Sequence, residues 1–272
     1  MRFMWFLWFL LVLVVLFAGY LFLVAPNPGA RKKKLDAVLG WDYAHRGLFN
    51  NAGDNPENSL NAFAAAYEKG FGMELDVQMT RDDVLVVFHD DTLTRMCGID
   101  KCLSEMSYEE IKEVKLLGSE QRIPTFDEML QLVAGKTPLL VEIKTGPKTR
   151  VELLTQKTQA RLDNYPYAYL IESFHPMCLN WYKKNAPGIV RGQLTFGPRK
   201  GNFLLGNLLG NVFSRPDFIA YNYTDDSCLS LRIIQRIFRP IMAAWTVRDA
   251  KTYRSIKDRY DVQIFEGEKT PN

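Results

Sequence analysis

Short apolar runs and amphipathic stretches alternate along the chain from Trp41 onward. Leu60, Phe63 and Tyr67 follow the three- and four-residue spacing of one helix face, and Gly70 ends that pattern. The run PLLVEIK is instead continuously apolar, which is typical of a strand buried on both faces. Strand patterns are predicted over residues 41–46, 73–80, 84–90, 138–144, 169–174, 189–196, 216–223, 242–247 and 262–267.

Helical patterns separate most of these strands. They cover residues 56–70, 103–116, 125–135, 150–164, 176–185, 229–238 and 249–260, with Thr125 as a predicted N-cap. Repeated strand–helix alternation predicts an α/β fold, a parallel sheet closed into a TIM (β/α)₈ barrel. Because that barrel uses eight strands, one predicted strand lies outside it or is not a strand. A doubly wound open sheet is the alternative, but no glycine-rich nucleotide loop follows any predicted strand.

The N-terminal segment has a different pattern, since Phe3 to Val24 contain no charge and are rich in Leu, Val, Phe and Trp. A helix of roughly 20 apolar residues spans a bilayer, whereas a signal peptide usually has an apolar centre of roughly 7–15 residues. Residues 3–24 are therefore predicted to be a transmembrane anchor, with a cleaved signal or a soluble helix as alternatives. Residues 25–40 are predicted to be a basic juxtamembrane linker, and residues 41–268 the barrel domain.

Charges beside the anchor bear on its orientation. Arg2 precedes it, and a basic cluster at residues 31–34 follows it. The positive-inside tendency then predicts a single-pass protein of the cell membrane with a cytoplasmic barrel domain. Cys97 and Cys102 are compatible with either side, as a disulfide loop outside or as reduced thiols inside. The net charge of +3 is small, no basic stripe indicates nucleic acid, and no protein partner is evident beside the lipid bilayer.

Histidine, carboxylate and basic side chains end four predicted strands, in the motifs HRG, ELD, FHDD and EIK. Active sites of (β/α)₈ barrels lie at the carboxyl ends of the strands, and residues two apart on a strand face the same side. Singly, each motif is explained by a solvated strand face, a structural histidine or a surface ion pair. Together they favour a metal-assisted phosphate site built from His45, Arg46, Glu74, Asp76, His89, Glu142 and Lys144.

Eight motifs follow one another in the order HRG, PENSLNAF, ELDVQMT, VVFHDDTL, IPTFDEML, VEIK, ESFHP and WTV. Over roughly residues 43–247 this series resembles the glycerophosphodiester phosphodiesterase family. The resemblance implies a TIM barrel that hydrolyses a glycerol-linked phosphodiester to glycerol phosphate and an alcohol. The chain departs from the family at its last strand, where VQIFEGEKTP replaces a glycine-rich IxTDxP pattern, so the register of that strand is in question.

The resemblance also implies roles in acid/base catalysis, metal binding, and contact with phosphate or substrate. His45 and His89 match the acid/base pair of the family. Glu74, Asp76 and Glu142 match its metal ligands, and Arg46, Lys144 and Trp245 match its contacts with phosphate or substrate. For Trp245, a place in the core is the alternative.

The chemistry of these residue types supports the same assignment. Three carboxylates suit one hard divalent cation, Mg²⁺ or Ca²⁺, and no Cys/His cluster suggests zinc. One imidazole is expected to deprotonate the nucleophile while the other protonates the leaving alkoxide. His89 is the predicted acid, because Asp90 and Asp91 favour its charged form. The nucleophile is either water or the neighbouring glycerol hydroxyl, which forms a cyclic phosphate first.

Three other features have open interpretations. His175 stands before a proline that begins a predicted helix, which favours a structural role. Glu57 and Asn58 are expected to cap a helix start, or to support the metal site from behind. The apolar stretch 203–213 is either a barrel helix packed inward or an interfacial segment on the bilayer.

The sequence therefore predicts a membrane-anchored enzyme of lipid metabolism. Its expected substrates are glycerophosphodiesters or lysophospholipid-like phosphodiesters. One alternative is a phospholipase D-like enzyme on the same barrel that forms cyclic phosphates. The other is an inactive barrel that binds lipids or phosphodiesters.

Overall fold

The computed structural model describes residues 1–30, 35, 37–198 and 203–267. The basic cluster at residues 31–34, on which the predicted orientation depends, lies outside the described residues.

Nine strands of the described chain form one sheet, and eight of them close into a parallel barrel. The barrel closes because β1 pairs with both β2 and β9. In chain order the strands are β1 (Asp42–Ala44), β2 (Gly72–Met79), β3 (Leu85–Val87), β4 (Leu139–Ile143), β5 (Tyr169–Ser173), β6 (Arg191–Thr195), β7 (Phe218–Asn222), β8 (Ile241–Val247) and β9 (Val262–Phe265). The predicted TIM barrel is confirmed, including a ninth strand outside it.

The strand outside the barrel is β3, which pairs antiparallel with β2. The turn at residues 81–83 reverses the chain, and the Phe88 N–H then donates to the Asp76 carbonyl at 2.9 Å. The expectation that His89 ends a barrel strand is therefore wrong. His89 instead returns to the level of Asp76 because the β2–β3 hairpin folds back beside the barrel mouth.

The helices alternate with the barrel strands and cover them. In chain order they are α1 (Arg2–Val24), α2 (Leu60–Glu68), α3 (Thr94–Cys97), α4 (Tyr108–Ile111), α5 (Phe126–Val133), α6 (Val151–Leu162), α7 (Pro176–Asn185), α8 (Phe203–Gly206), α9 (Asn211–Ser214), α10 (Leu229–Phe238) and α11 (Ala250–Ile256). Short 3₁₀ turns occur at Leu103–Glu105, Tyr223–Asp225 and Lys257–Arg259.

Capping residues decide several of these boundaries. Thr125 accepts the Glu128 N–H at 3.1 Å, so its predicted role as the N-cap of α5 is confirmed. The single helix predicted over residues 103–116 is wrong, because a capping box begun by Ser107 starts the short α4 within it. Ser59 caps α2 and accepts the Ala62 N–H at 3.1 Å. Glu57 and Asn58 are therefore not the caps of that helix.

Side chains inside the barrel form layers along its axis. The lower layer is apolar and includes Tyr43, Leu140, Leu170 and Phe218. Since successive inward residues are two apart, the next inward positions on β4 and β5 are acidic. The apolar layer closes the bottom of the barrel and leaves the acidic one facing its mouth.

The N-terminal helix is long and apolar enough to cross a membrane, by length and composition alone. Its last turn rests on the barrel wall, where the Tyr20 hydroxyl donates to the Asn207 carbonyl at 3.2 Å. The Asn211 amide donates to the Val24 carbonyl at 2.9 Å. Residues 3–19 of the helix are exposed.

The apolar stretch 203–213 is buried at some positions and exposed at others. It forms the short helices α8 and α9 rather than one barrel helix. Leu208 is completely buried in the main core, whereas Leu204 and Phe213 are exposed on the outer side.

Candidate active site

Four carboxylates form the acidic layer inside the barrel. The register of the paired strands places Asp76 of β2, Glu142 of β4 and Glu172 of β5 side by side. Glu74 lies two residues before Asp76 on β2. Oxygens of Glu74, Glu142 and Glu172 lie within 4.8 Å of one another. All four residues are at most 5% exposed, so water screens their mutual repulsion poorly.

Positive and amide groups compensate the charge of Asp76. Its Oδ1 is 3.5 Å from Lys144 Nζ, and its Oδ2 is 3.5 Å from Arg46 Nε. The Asn58 amide donates to Oδ2 at 2.8 Å. Burial alone raises the pKa of Asp76, but Lys144 and then other nearby positive groups hold that pKa below its usual range.

The three glutamates are less well compensated. Lys144 Nζ is 2.9 Å from Oε1 of Glu142. Within the described chain, Glu74 Oε1 and Glu172 Oε2 are buried without a hydrogen-bond partner. Burial, together with the neighbouring carboxylates, raises the pKa of all three above the usual range. Clustered carboxylate oxygens with unused lone pairs fit a hard divalent cation, which would supply the missing positive charge.

His45 lies beside the acidic layer, directly after β1. Its backbone N–H donates to the Phe265 carbonyl at 2.8 Å, which holds the residue where β1 meets β9. Its Nε2 is 3.9 Å from Glu74 Oε2, and its Nδ1 is 3.9 Å from Glu266 Oε2. Burial, followed by the charge of Arg46, lowers the pKa of His45 well below its usual value. This shift favours the uncharged ring, which is the form that can accept a proton.

His89 reaches the barrel mouth from the hairpin. The Gln78 amide donates to the carbonyls of Phe88 and Asp90, at 2.9 and 2.8 Å, and so fixes the backbone on both sides of the histidine. The Nδ1 of His89 lies 2.6 Å from Oδ1 of Asp90. Asp90 also accepts Arg95 Nε at 2.7 Å, so the carboxylate that orients His89 is itself held in place.

A buried carboxylate links the surroundings of the two histidines. Oε1 of Glu57 accepts Arg46 Nη1 at 2.6 Å and Arg95 Nη2 at 2.7 Å. Burial alone raises the pKa of Glu57, but hydrogen bonds from Arg95 and the charge of Arg46 lower it to about 2. An ion-pair chain therefore runs from His89 through Asp90, Arg95 and Glu57 to Arg46. This position agrees with the second interpretation of Glu57, as support behind the site.

The HRG motif has a backbone explanation. Arg46 and Gly47 both adopt positive φ, at 57° and 81°. A Cβ at Gly47 would lie 2.7 Å from the Ala62 carbonyl carbon, closer than packing permits. This turn directs the Arg46 N–H to Oε2 of Glu74 at 2.9 Å, so the glycine is needed to bring Arg46 into the site.

A cavity of about 340 Å³ opens at the barrel mouth, lined by His89, Glu142, Lys144 and Phe174 among others. The Phe174 ring meets that of Trp245 edge to face, with centroids 5.6 Å apart. Lys144 Nζ lies 5.9 Å from the Phe174 centroid. The mouth thus combines a positively charged side chain with an apolar wall. The substrate role of Trp245 stays a prediction.

His175 has the structural role expected of it. Its Nδ1 accepts the Met177 N–H at 3.3 Å and caps α7. The four cysteines, Cys97 and Cys102 among them, are free thiols.

Several residues of the site escaped the sequence prediction. Glu172 carried a signal, as the only charged residue of the apolar run YLIES in β5. Glu266 follows β9, whose register was in doubt, and its Oε2 is 2.8 Å from Arg248 Nε. Arg95 lies in the short helix α3, and no motif in the sequence around it indicates a role in the site. Asp91 was expected to act on His89, but its carboxylate lies beside Gly146.

Comparison with known proteins agrees with this geometry. The model of the glycerophosphoryl diester phosphodiesterase family matches residues 45–200. A glycerophosphodiester phosphodiesterase of Bacillus altitudinis is 31% identical over 225 residues, which cover 79% of this chain and 89% of the relative. One from Caldanaerobacter subterraneus is 36% identical over 165 residues, covering 56% of this chain and 65% of the relative.

Solved structures share the fold. A phosphodiesterase of Oleispira antarctica, solved in complex with the product sn-glycerol-3-phosphate, superposes with a TM-score of 0.70 at 21% identity. The superposition covers 84% of this chain and 93% of that protein.

Proposed function

Because the chain belongs to the glycerophosphoryl diester phosphodiesterase family, and so to the phosphoric diester hydrolases, we propose that it hydrolyses glycerophosphodiesters to glycerol phosphate and an alcohol. One observation carries the proposal: the buried glutamates lie at the same barrel mouth as two histidines and two basic side chains. The glycerol phosphate bound by the Oleispira antarctica enzyme supports the same substrate class.

We infer one divalent cation, Mg²⁺ or Ca²⁺, with Glu74, Asp76 and Glu142 as ligands and Glu172 as a further carboxylate. Their clustered oxygens and unused lone pairs support this set. When bound, such a cation neutralises charge on a phosphate oxygen.

The protein residues divide the remaining work. Arg46 and Lys144 bind the phosphate oxygens as positive charges, and Trp245 lines the pocket with Phe174. His45 accepts the proton of the nucleophile, and His89 donates a proton to the leaving alkoxide. The Oδ1 of Asp90, 2.6 Å from Nδ1 of His89, orients the ring and supports this assignment of the acid.

One other activity and one inactive alternative are compatible with this geometry. If a hydroxyl of the substrate replaces water as nucleophile, the same histidines form a cyclic phosphate, as in a phospholipase D-like enzyme. An inactive phosphodiester-binding barrel is the remaining alternative. The paired His89 and Asp90 argue against it, because binding alone has no need of an oriented proton donor.

Substitution of either histidine tests the proposal. We expect His45→Ala and His89→Ala each to lower kcat by about 10²- to 10⁴-fold, because each removes one proton transfer. The measurement is release of glycerol phosphate from glycerophosphocholine with Mg²⁺ or Ca²⁺, and mass spectrometry identifies any cyclic product. Thermal melting serves as the control for folding. Wild-type turnover in either variant, with the fold intact, contradicts the assignment.

We also propose that residues 3–24 anchor the protein in the cell membrane and that residues 41–268 form its cytoplasmic catalytic domain, joined by the linker 25–40. The exposed apolar surface of α1 supports the anchor.

A further inference from the structure

The last turns of α1 lie level with one edge of the barrel mouth. The Tyr20 hydroxyl donates to the Asn207 carbonyl, and the Ser230 hydroxyl donates to the Asn207 side chain at 2.8 Å. Gly206 packs so closely on Pro198, just after β6, that an added Cβ would lie 2.5 Å from the Pro198 Cα. These contacts define the anchor-side rim, residues 203–207 and 228–230, which follow the carboxyl ends of β6 and β7.

From this rim the chain descends along the barrel wall. The backbone N–H of Asn27, just after the end of α1, donates to the Pro216 carbonyl at 2.9 Å. Pro216 lies directly before β7, at the amino end of that strand. Between Tyr20 and Asn27 the chain therefore passes from the rim to the opposite end of the barrel. Toward its N-terminus, α1 extends away from the rim on the side where the catalytic mouth opens.

The exposed part of α1 begins at the level of the rim. Residues 3–19 are exposed and uncharged, and at 1.5 Å per residue they correspond to about 25 Å of helix. That length occupies most of a hydrocarbon core of about 30 Å, so the membrane boundary falls close to Tyr20. Tyrosine is typical of that boundary. A bilayer around α1 therefore borders the anchor-side rim.

Large apolar side chains are exposed on this rim. Phe203 is 68% exposed at the start of α8, and Leu229 is 72% exposed at the start of α10. Leu229 lines one cavity together with Asn207, so it lies near the residue that binds Tyr20. Phenylalanine and leucine side chains gain free energy when they leave water for the outer part of a bilayer. The rim beside the anchor thus has the composition of a lipid-contacting surface.

We propose that the anchor-side rim rests on the bilayer with Phe203 and Leu229 inserted, so that the catalytic mouth faces the membrane rather than bulk water. The inference rests on the proposed membrane anchor. It adds which end of the barrel the membrane covers.

The experiment measures membrane depth on the full chain in lipid nanodiscs. A fluorescent non-canonical amino acid replaces Phe203 or Leu229 on the rim, or Phe213 or Ile237 as matched controls. Phe213 and Ile237 are each 50% exposed, in α9 and at the end of α10, toward the amino ends of the strands. Interfacial side chains are buried by about 5–10 Å, so nitroxide-labelled acyl chains should quench the rim labels at least about threefold more strongly than the controls.

Stronger quenching at Phe213 and Ile237 means that the opposite end of the barrel faces the bilayer, and overturns the proposal. Equal quenching at all four positions overturns it as well. A label at Leu13, within α1, tests the anchor separately. If Leu13 is quenched and the rim is not, the rim proposal alone is wrong; if Leu13 is not quenched, the anchor is wrong and the rim proposal with it.

Turnover of glycerophosphocholine by each labelled chain reports on the hydrolase function independently of depth. All four labelled positions are exposed and outside the catalytic cavity, so kcat/KM should stay within about twofold of the wild type. Absence of turnover in the wild type contradicts the hydrolase function and leaves the quenching result to decide the orientation.

Discussion

At the scale of single residues, the main feature of the candidate active site is a cluster of buried carboxylates. Glu74, Glu142 and Glu172 lie within 4.8 Å of one another, and Lys144 approaches only one of them closely. Like charges in a poorly solvated interior repel strongly, so this arrangement is stable as an ionised cluster only with a positive partner. A divalent cation is the partner that carboxylate oxygens suit best.

Glu172→Gln tests that reasoning at the position that sequence patterns missed. Loss of one charged ligand should weaken Mg²⁺ or Ca²⁺ binding by about tenfold or more. The measurement is the rise of melting temperature with metal concentration, which depends on binding to the folded state alone. Glu68→Gln, an exposed change on α2, is the control. An identical metal response in both variants removes Glu172 from the ligand set.

At the scale of elements, the β2–β3 hairpin and the helices after it hold His89, the proposed general acid, in place. Hydrogen bonds from Gln78 fix the backbone around His89, and Asp90 joins His89 to Arg95 of α3. The insertion has an apolar cluster of its own, which includes Val86 and Met96. The orientation of the His89 side chain therefore depends on a packed element outside the barrel.

Arg95→Gln should accordingly disturb catalysis without removing any group that touches substrate. We expect kcat to fall by about tenfold or more with little change in KM, because small displacements of a catalytic group cost this much. Arg95→Lys should restore part of kcat by returning the charge. Arg81→Gln, which removes an exposed ion pair with Glu110 near the same insertion, is the control. A fall in melting temperature that fully accounts for the lost activity would mean that Arg95 is only structural.

At the scale of the whole molecule, the N-terminal helix and the barrel are packed against each other rather than joined by a free tether. Asn27 donates its amide to Asp217 Oδ1 at 2.7 Å and its N–H to the Pro216 carbonyl at 2.9 Å. These bonds, with the contacts of Tyr20 and Val24, fasten the end of α1 beside the barrel. If α1 spans a bilayer as proposed, such attachment restricts how the barrel mouth is oriented relative to that bilayer.

The side of the membrane is testable by fusion of reporters to the C-terminus. The basic cluster at residues 31–34 predicts a cytoplasmic barrel, so a fused green fluorescent protein should fluoresce and a fused alkaline phosphatase should be inactive. Replacement of the four basic residues by Gln should weaken this preference. An active phosphatase fusion in the unaltered chain contradicts the predicted orientation.

The sequence by itself determined the barrel, its apolar N-terminal helix and most of the groups at the barrel mouth. The spacing of two in ELD and EIK is a local property of an extended strand, and alternation of strands with helices leaves few compact arrangements. Only the tertiary structure decided the rest. Glu172 joins Glu142 through sheet register, His89 returns along a hairpin outside the barrel, and Glu57 bridges arginines from two separate segments. These contacts join residues far apart in the chain, which no local spacing specifies. The contacts of α1 with the barrel likewise follow from packing, because a sequence pattern defines an apolar face but not what lies against it.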